Sequence, residues 1–112
     1  MLKKISPKDL SDLFKHPQFL SIFDVRDDDY GERGIIKGSN HLPYRSITED
    51  TIIKLVSNKL SSTNVFYCTF GRARSPNVVS KMIKMYPEMN CYYLEGGIRS
   101  IILSPEYHYM LN

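Results

Sequence analysis

The sequence predicts an α/β domain: a central, mostly parallel sheet of about five strands flanked by helices. Three observations predict it. Short runs rich in β-branched and aromatic residues alternate with segments of helical period. The two densest apolar runs, residues 19–25 and 65–67, are nearly continuous instead of alternating, which suits strands buried on both faces. Ser6-Pro7 and Ser75-Pro76 each read as a helix start just past a strand candidate. A serine there accepts free N–H groups, and a proline at the first helical position loses no hydrogen bond.

Residues 2–5 read as a short edge strand. A short helix follows Ser6-Pro7, with Leu10, Leu13 and Phe14 on one face, and His16-Pro17 ends it. Residues 19–25 are the first buried strand. Residues 26–34 are charged and read as a loop or a single helical turn. Ile35-Ile36 and residues 40–42 are strand candidates around the Lys37-Gly38-Ser39 turn, closed by Pro43. Residues 48–60 form a helix capped by Thr48, with Ile52, Leu55, Val56 and Leu60 on one face. Residues 61–64 break it, and the strand at 65–67 follows. Residues 76–86 form the next helix, with Val79, Met82, Ile83 and Tyr86 inward and Lys81 and Lys84 outward. Residues 91–94 are another strand, Gly96-Gly97 a sharp turn, and residues 98–103 a last helical segment. The tail after Pro105 carries no clear signal.

Composition excludes several classes. The 112 residues read as one domain, 1–112, with 42% hydrophobic and 24% charged residues, ordinary for a globular protein. A net charge of +3 suits an anionic substrate but is too small to argue for nucleic acid. The tyrosines at 92, 93, 107 and 109 lack the interleaved basic residues of a nucleic-acid platform and read as packing. No apolar run approaches the ~20 residues of a membrane span, and the start lacks the apolar segment of a signal peptide. The two cysteines, Cys68 and Cys91, make neither a metal spacing nor a disulfide framework. These features lead us to expect a cytoplasmic or nuclear monomer, without metal or other cofactor.

The chemistry concentrates in Cys68-Thr69-Phe70-Gly71-Arg72-Ala73-Arg74, between the strand at 65–67 and the helix start at Ser75-Pro76. In open α/β sheets, ligands bind beyond the carboxyl ends of the strands, which is where Cys68 falls. A thiol facing a helix N-terminus and two arginines has surroundings that favour its charged form, the thiolate. Backbone N–H groups of such a loop turn inward and cradle a tetrahedral oxyanion.

Three further segments carry a resemblance: Phe23-Asp24-Val25-Arg26 with Tyr30 following, residues 36–43, and Tyr93-Leu94-Glu95-Gly96-Gly97. Their order and spacing around the cysteine loop resemble the rhodanese-like fold, over roughly residues 20–97. Within that fold, five residues between Cys68 and Arg74 resemble the M-phase inducer phosphatases and the related eukaryotic arsenate reductases. Sulfurtransferase members usually have a loop one residue shorter. The segment from Asp24 to Tyr30 looks most like the small stand-alone branch. The resemblance implies a phosphatase of the protein-tyrosine or dual-specificity type, acting on a phosphorylated protein or another oxyanion substrate. Cys68 attacks phosphorus as a thiolate and forms a phosphocysteine that water hydrolyses. Arg74 grips two oxygens in a bidentate fork, and the backbone of Thr69, Phe70, Gly71, Arg72, Ala73 and Arg74 completes the cradle. Arsenate reduction by the same thiol, sulfur transfer, and a non-catalytic binding module are the alternatives.

The sequence departs from that pattern in four places. Tyr67 replaces the histidine common before the cysteine, Ala73 replaces a glutamate late in the loop, Ser75 replaces a glycine after the arginine, and Val25 replaces a cysteine that protects the catalytic thiol. The general acid is therefore unassigned among Asp27, Asp28, Asp29, Glu95 and the substrate itself. Asp24, ending a buried strand, reads as a structural residue that ties down loop N–H groups. Ser75 reads as the helix cap. Arg72 is either a second anion contact or a solvated side chain. Cys91 and the histidines read as core and strand-end residues, and the run Asp27-Asp28-Asp29 as a solvated loop.

Overall fold

The computed structural model describes residues 3–58 and 60–112. Five strands, β1 (Lys4–Ile5), β2 (Leu20–Asp24), β3 (Ser39–His41), β4 (Thr63–Tyr67) and β5 (Cys91–Leu94), form one sheet in the order β1-β5-β4-β2-β3. Every neighbouring pair is parallel, so the predicted α/β architecture is the one observed. Leu2 of the expected edge strand and Lys59 of the expected second helix lie outside the described residues.

Among the described residues four α-helices cover the sheet: α1 (Pro7–Leu13), α2 (Glu49–Asn58), α3 (Arg74–Met85) and α4 (Gly97–Ile102). Successive strand residues point to opposite faces, so each strand feeds two cores. Phe66 and the adjoining Cys68 pack with Phe23, Val25, Ile52 and Leu55 of α2, and Val78, Val79 and Met82 of α3. Val65 and Tyr67 pack on the other side with Ile22, Leu10 of α1, and Ile98 and Ile101 of α4. Phe23 and Phe66 stack with ring centroids 5.0 Å apart at the middle of the first core. The second core is sealed by the tail that carried no sequence signal. A 3-10 helix, Pro105–Met110, buries Met110, and Leu111 bridges antiparallel to Ile36. Ile35-Ile36 is thus not a strand of the sheet. Its partner is the far end of the chain, which no local pattern reveals.

The helix starts show which local signals prevail. Ser6 caps α1 as expected, its Oγ accepting the Asp9 N–H at 3.1 Å, and Thr48 accepts the Thr51 N–H at the start of α2. Ser75 does not cap α3. The helix begins one residue earlier, and Arg74, Ser75 and Pro76 are its first three residues. Their N–H groups have no intrahelical acceptor in any case, so Pro76 still loses no bond. The first i to i−4 bond runs from the Asn77 N–H to the Ala73 carbonyl at 3.0 Å. No side chain caps this helix, and Ser75 is free to turn elsewhere.

Candidate active site

β2 and β4 lie side by side with Asp24 opposite Tyr67. The segments leaving their carboxyl ends, residues 25–34 and 68–73, therefore emerge together at the edge of the sheet where parallel α/β folds bind ligands. Cys68 is the first residue past β4. Its thiol is almost wholly buried, within 3.2 Å of the Ser75 hydroxyl, and it accepts the Gly71 N–H at 3.3 Å. A loop amide already aims at sulfur, as an inward-turned cradle requires.

Two glycines allow the loop this shape. Gly71 has φ +67°, and a Cβ there would sit 2.6 Å from the Leu94 carbonyl oxygen. A Cβ on Gly97 would overlap the Thr69 carbonyl. The loop thus packs backbone-to-backbone against the turn after β5. There the Ile98 and Arg99 N–H groups, at the start of α4, donate to the Cys68 and Thr69 carbonyls at 3.0 and 3.1 Å. These bonds hold the cysteine at the sheet edge. They also explain Gly96-Gly97 better than a turn does: contact with the loop requires a residue without a side chain at 97.

Arg74 points at the segment after β2. Its Nη1 donates to Asp29 Oδ1 at 2.8 Å and its Nη2 to Asp29 Oδ2 at 2.7 Å. The Thr69 hydroxyl donates to Asp29 Oδ2 at 2.6 Å, and the Asp27 N–H to Asp29 Oδ1 at 3.1 Å. Four donors therefore converge on one carboxylate, about as many as it can accept. Arg74 is the chief reason that the Asp29 carboxyl is held well below its ordinary value, against the opposing effect of burial, with Thr69 adding to it. Asp29 in turn raises the Arg74 guanidinium further. The expectation of a solvated acidic run is corrected here. Asp28 is solvated, 88% exposed beside Arg45, but the Asp27 and Asp29 side chains are only 22% and 24% exposed. Arg74, expected to fork onto an oxyanion, here forks onto Asp29 through its Nη1–Nη2 edge.

Tyr67 is also clarified. It packs in the core opposite to that of Cys68, and its OH accepts the Ile36 N–H at 3.2 Å and meets Ser39 Oγ at 3.0 Å. Strand alternation carries this side chain away from the thiol, so its replacement of histidine acts on the far face.

Asp24 and Arg26 form a second ion pair, wholly buried. Asp24 Oδ1 accepts the Arg26 N–H, and all three guanidinium nitrogens of Arg26 are used, by Asp24 and by the Glu32 and Gly34 carbonyls. Arg26, read as part of a charged loop, is the clasp that shapes residues 27–34 and so places Asp29. His41 meets the Arg26 carbonyl through Nε2 and stacks on Tyr30.

The remaining candidates separate in space. The Glu95 side chain pairs with Lys4 of β1 at 2.9 Å. Phe70 is exposed, and Arg72 and Arg99 both lie over its ring. With Gly96, Ser100 and Leu103 they line a cavity of about 370 Å³ that begins at Gly71. Ala73 is exposed and contributes backbone alone. Cys91 is buried in the core, where burial pushes its thiol up to about 11. Sequence reasoning placed Asp29 only among the possible general acids, Thr69 in the cradle through its backbone and Ser75 at the helix cap; it missed the pairing of Asp29 with Arg74 and the contacts of the two hydroxyls. The sequence carried only part of the signal for Asp29: the run Asp27 to Asp29 begins three residues past β2, at the same sheet edge as the cysteine, and nothing local selects the third aspartate.

Comparison with known proteins bears on the family and the fold. Residues 6–103 match the rhodanese-like domain family. A dual specificity phosphatase Cdc25 of Arabidopsis thaliana is 31% identical over 100 residues, covering 88% of this chain and 65% of that relative's length. The solved structure of an As-Sb reductase from Leishmania major superposes with a TM-score of 0.75 at 26% identity, covering 98% of this chain and 79% of that one. A thiosulfate sulfurtransferase from Pseudomonas aeruginosa, 16% identical with a TM-score of 0.68, shares the fold over 89% of this chain and 18% of its own. The sheet order, the glycine-dependent loop and a family match running through most of the sequence lead to one conclusion: this chain belongs to the rhodanese-like domain family.

Proposed function

We propose that this protein is a cysteine-dependent phosphatase that hydrolyses phosphate monoesters through a phosphocysteine intermediate. The observation that carries the reading is the loop from Cys68 to Arg74. A buried thiol receives a backbone N–H, an uncapped helix begins beside it, and a guanidinium closes the loop. A bidentate guanidinium and inward amides suit the charge that develops on a phosphoryl group in transfer. Five residues between cysteine and arginine give a wider nest than sulfane sulfur needs.

In the first step the Cys68 thiolate attacks the phosphorus of a monoanionic ester, the ester P–O bond breaks, and the leaving oxygen takes up the proton the ester itself carries. In the second, water attacks the phosphocysteine, releasing inorganic phosphate and the thiolate. The loop amides, Arg74 and the Ser75 hydroxyl are the groups available to balance charge at sulfur and phosphorus. Phe70, Arg72 and Arg99 beside the loop favour an anionic or aromatic substrate such as a phosphorylated protein segment, bound by a monomer without metal or other cofactor in the cytoplasm or nucleus.

Hydrolysis of an aryl phosphate by wild type and by Cys68→Ser tests the reading. The expected result is turnover by wild type that falls at least about a thousand-fold in the variant. Equal activity in both, or a folded but inert wild type, removes it. The likeness to the Leishmania As-Sb reductase supports a second reading, arsenate reduction by the same thiol. In that reaction arsenate becomes arsenite while two thiols, one from a small-molecule donor, become a disulfide. Arsenate-dependent consumption of such a donor, without aryl phosphate hydrolysis, selects it.

A further inference from the structure

We propose that Asp29 is a positioning residue for the anion site: it holds Arg74 by its end-on edge and so presents the side-on edge, Nε with Nη2, to the oxyanion. The inference rests on the reading of residues 68–74 as an oxyanion cradle.

A guanidinium offers five N–H groups in a rigid plane and therefore two bidentate edges. Asp29 takes the Nη1–Nη2 edge, one oxygen to each nitrogen. Arg74 Nε has no hydrogen-bond partner among the described residues, and Nη2 keeps its second N–H. One complete fork is left over. Arg26 makes the opposite choice: its Nε, Nη1 and Nη2 are all bonded inside the protein.

The clamp is built to stay closed. Asp29 does not depend on Arg74 for its place, because the Thr69 hydroxyl and the Asp27 N–H hold the same carboxylate from the loop and from its own segment. The charged groups facing Asp29 are Arg74, with Asp27 Oδ2 at 3.9 Å from Arg74 Nη1, and Arg26, whose charge is already paired with Asp24. An oxyanion that had to evict Asp29 would break two charge-assisted bonds and leave two anions side by side. One that takes the side-on edge breaks none. A flexible arginine must also be ordered when a ligand binds, and a residue that orders it beforehand removes that loss.

The two routes predict opposite signs. Where Asp29 competes for Arg74, removing its charge tightens anion binding. Where Asp29 positions Arg74, removing it loosens binding. The test is tungstate affinity by calorimetry for wild type, Asp29→Ala, Arg74→Ala and the double variant, with melting curves as the check on folding. The expected result is at least about tenfold weaker binding in Asp29→Ala, and no further loss when Asp29→Ala is added to Arg74→Ala, because Asp29 acts through the arginine. Unchanged or tighter binding in Asp29→Ala overturns the proposal and leaves the oxyanion reading standing. Additive losses in the double variant also overturn it. Wild type that binds no tungstate removes the oxyanion reading and this proposal together. Should Asp29→Ala not fold, Asp29→Asn carries the same test with the same expected sign.

Discussion

Two arginine–aspartate pairs, one residue chemistry, serve different ends in this protein. Asp24–Arg26 is wholly buried, and every nitrogen of its guanidinium is bonded. Asp29–Arg74 is bidentate too, at the same 2.7 Å closest approach, but its side chains are 24% and 26% exposed and one guanidinium edge is unspent. The first pair has no complete bidentate edge left for a ligand and nowhere to admit one. The second has both. Burial and donor accounting, not residue identity, separate a structural clasp from a binding group.

Removal of the arginines makes the sharpest break in that comparison. Arg26→Ala leaves Asp24 charged in the core without its cation, keeping only the backbone N–H of residue 26, and releases the Glu32 and Gly34 carbonyls. The expected loss is about 3–5 kcal/mol of stability, read as a lowered denaturant midpoint, with activity following the folded fraction. Arg74→Ala has the reverse profile: a stability change of about 1 kcal/mol or less, and a hundred- to thousand-fold fall in aryl phosphate turnover, roughly the loss of one oxyanion-stabilising group. Were the two variants to show the same ratio of stability to activity loss, the distinction between the pairs would collapse.

A smaller effect separates them by pH. Arg74 lowers the Asp29 carboxyl below its ordinary 3.8, so the folded-state pKa lies under the unfolded one. The pair's contribution is then present in full above the unfolded value and is lost as pH falls through the folded one. The stability difference between wild type and Asp29→Asn is expected to be constant between about pH 5 and 8 and to shrink in acid, below about 3.8. A difference that changes across neutral pH would place another titrating group in the clamp.

The two thiols extend the contrast and yield the smallest expected change. Burial holds the Cys91 thiol up at about 11, so near neutrality it is protonated and inert. Mass spectrometry after brief alkylation of the native protein should find label on Cys68 and essentially none on Cys91. Equal labelling would contradict the assignment of Cys68 as the distinct thiol of the loop.

Much of the fold was legible because parallel strands buried on both faces leave dense apolar runs, and the runs at 19–25 and 65–67 matched β2 and β4 closely. The serine–proline signal was read correctly at Ser6 and misread at Ser75. The difference lies outside the helix, where Ser75 finds the Cys68 thiol and Ser6 has no such neighbour among the described residues. The cysteine loop was legible through its cysteine at a strand end, its closing arginine and its length. The role of Asp29 was not, since three consecutive aspartates look like solvent-facing charge until the strand register puts the third against Arg74.

By itself the sequence determined the alternation of strands and helices, the position of Cys68 at a strand end, and the loop of five residues closed by an arginine. These are local properties, fixed by hydrophobic period, turn chemistry and spacing. Only the tertiary structure decided which acidic residue meets Arg74, which arginine is saturated, where Tyr67 turns, and how the tail closes the second core. Those outcomes depend on the register of β2 against β4 and on contacts between segments far apart in the chain. A side chain's charge is written in the sequence; the partner that spends it is set by packing.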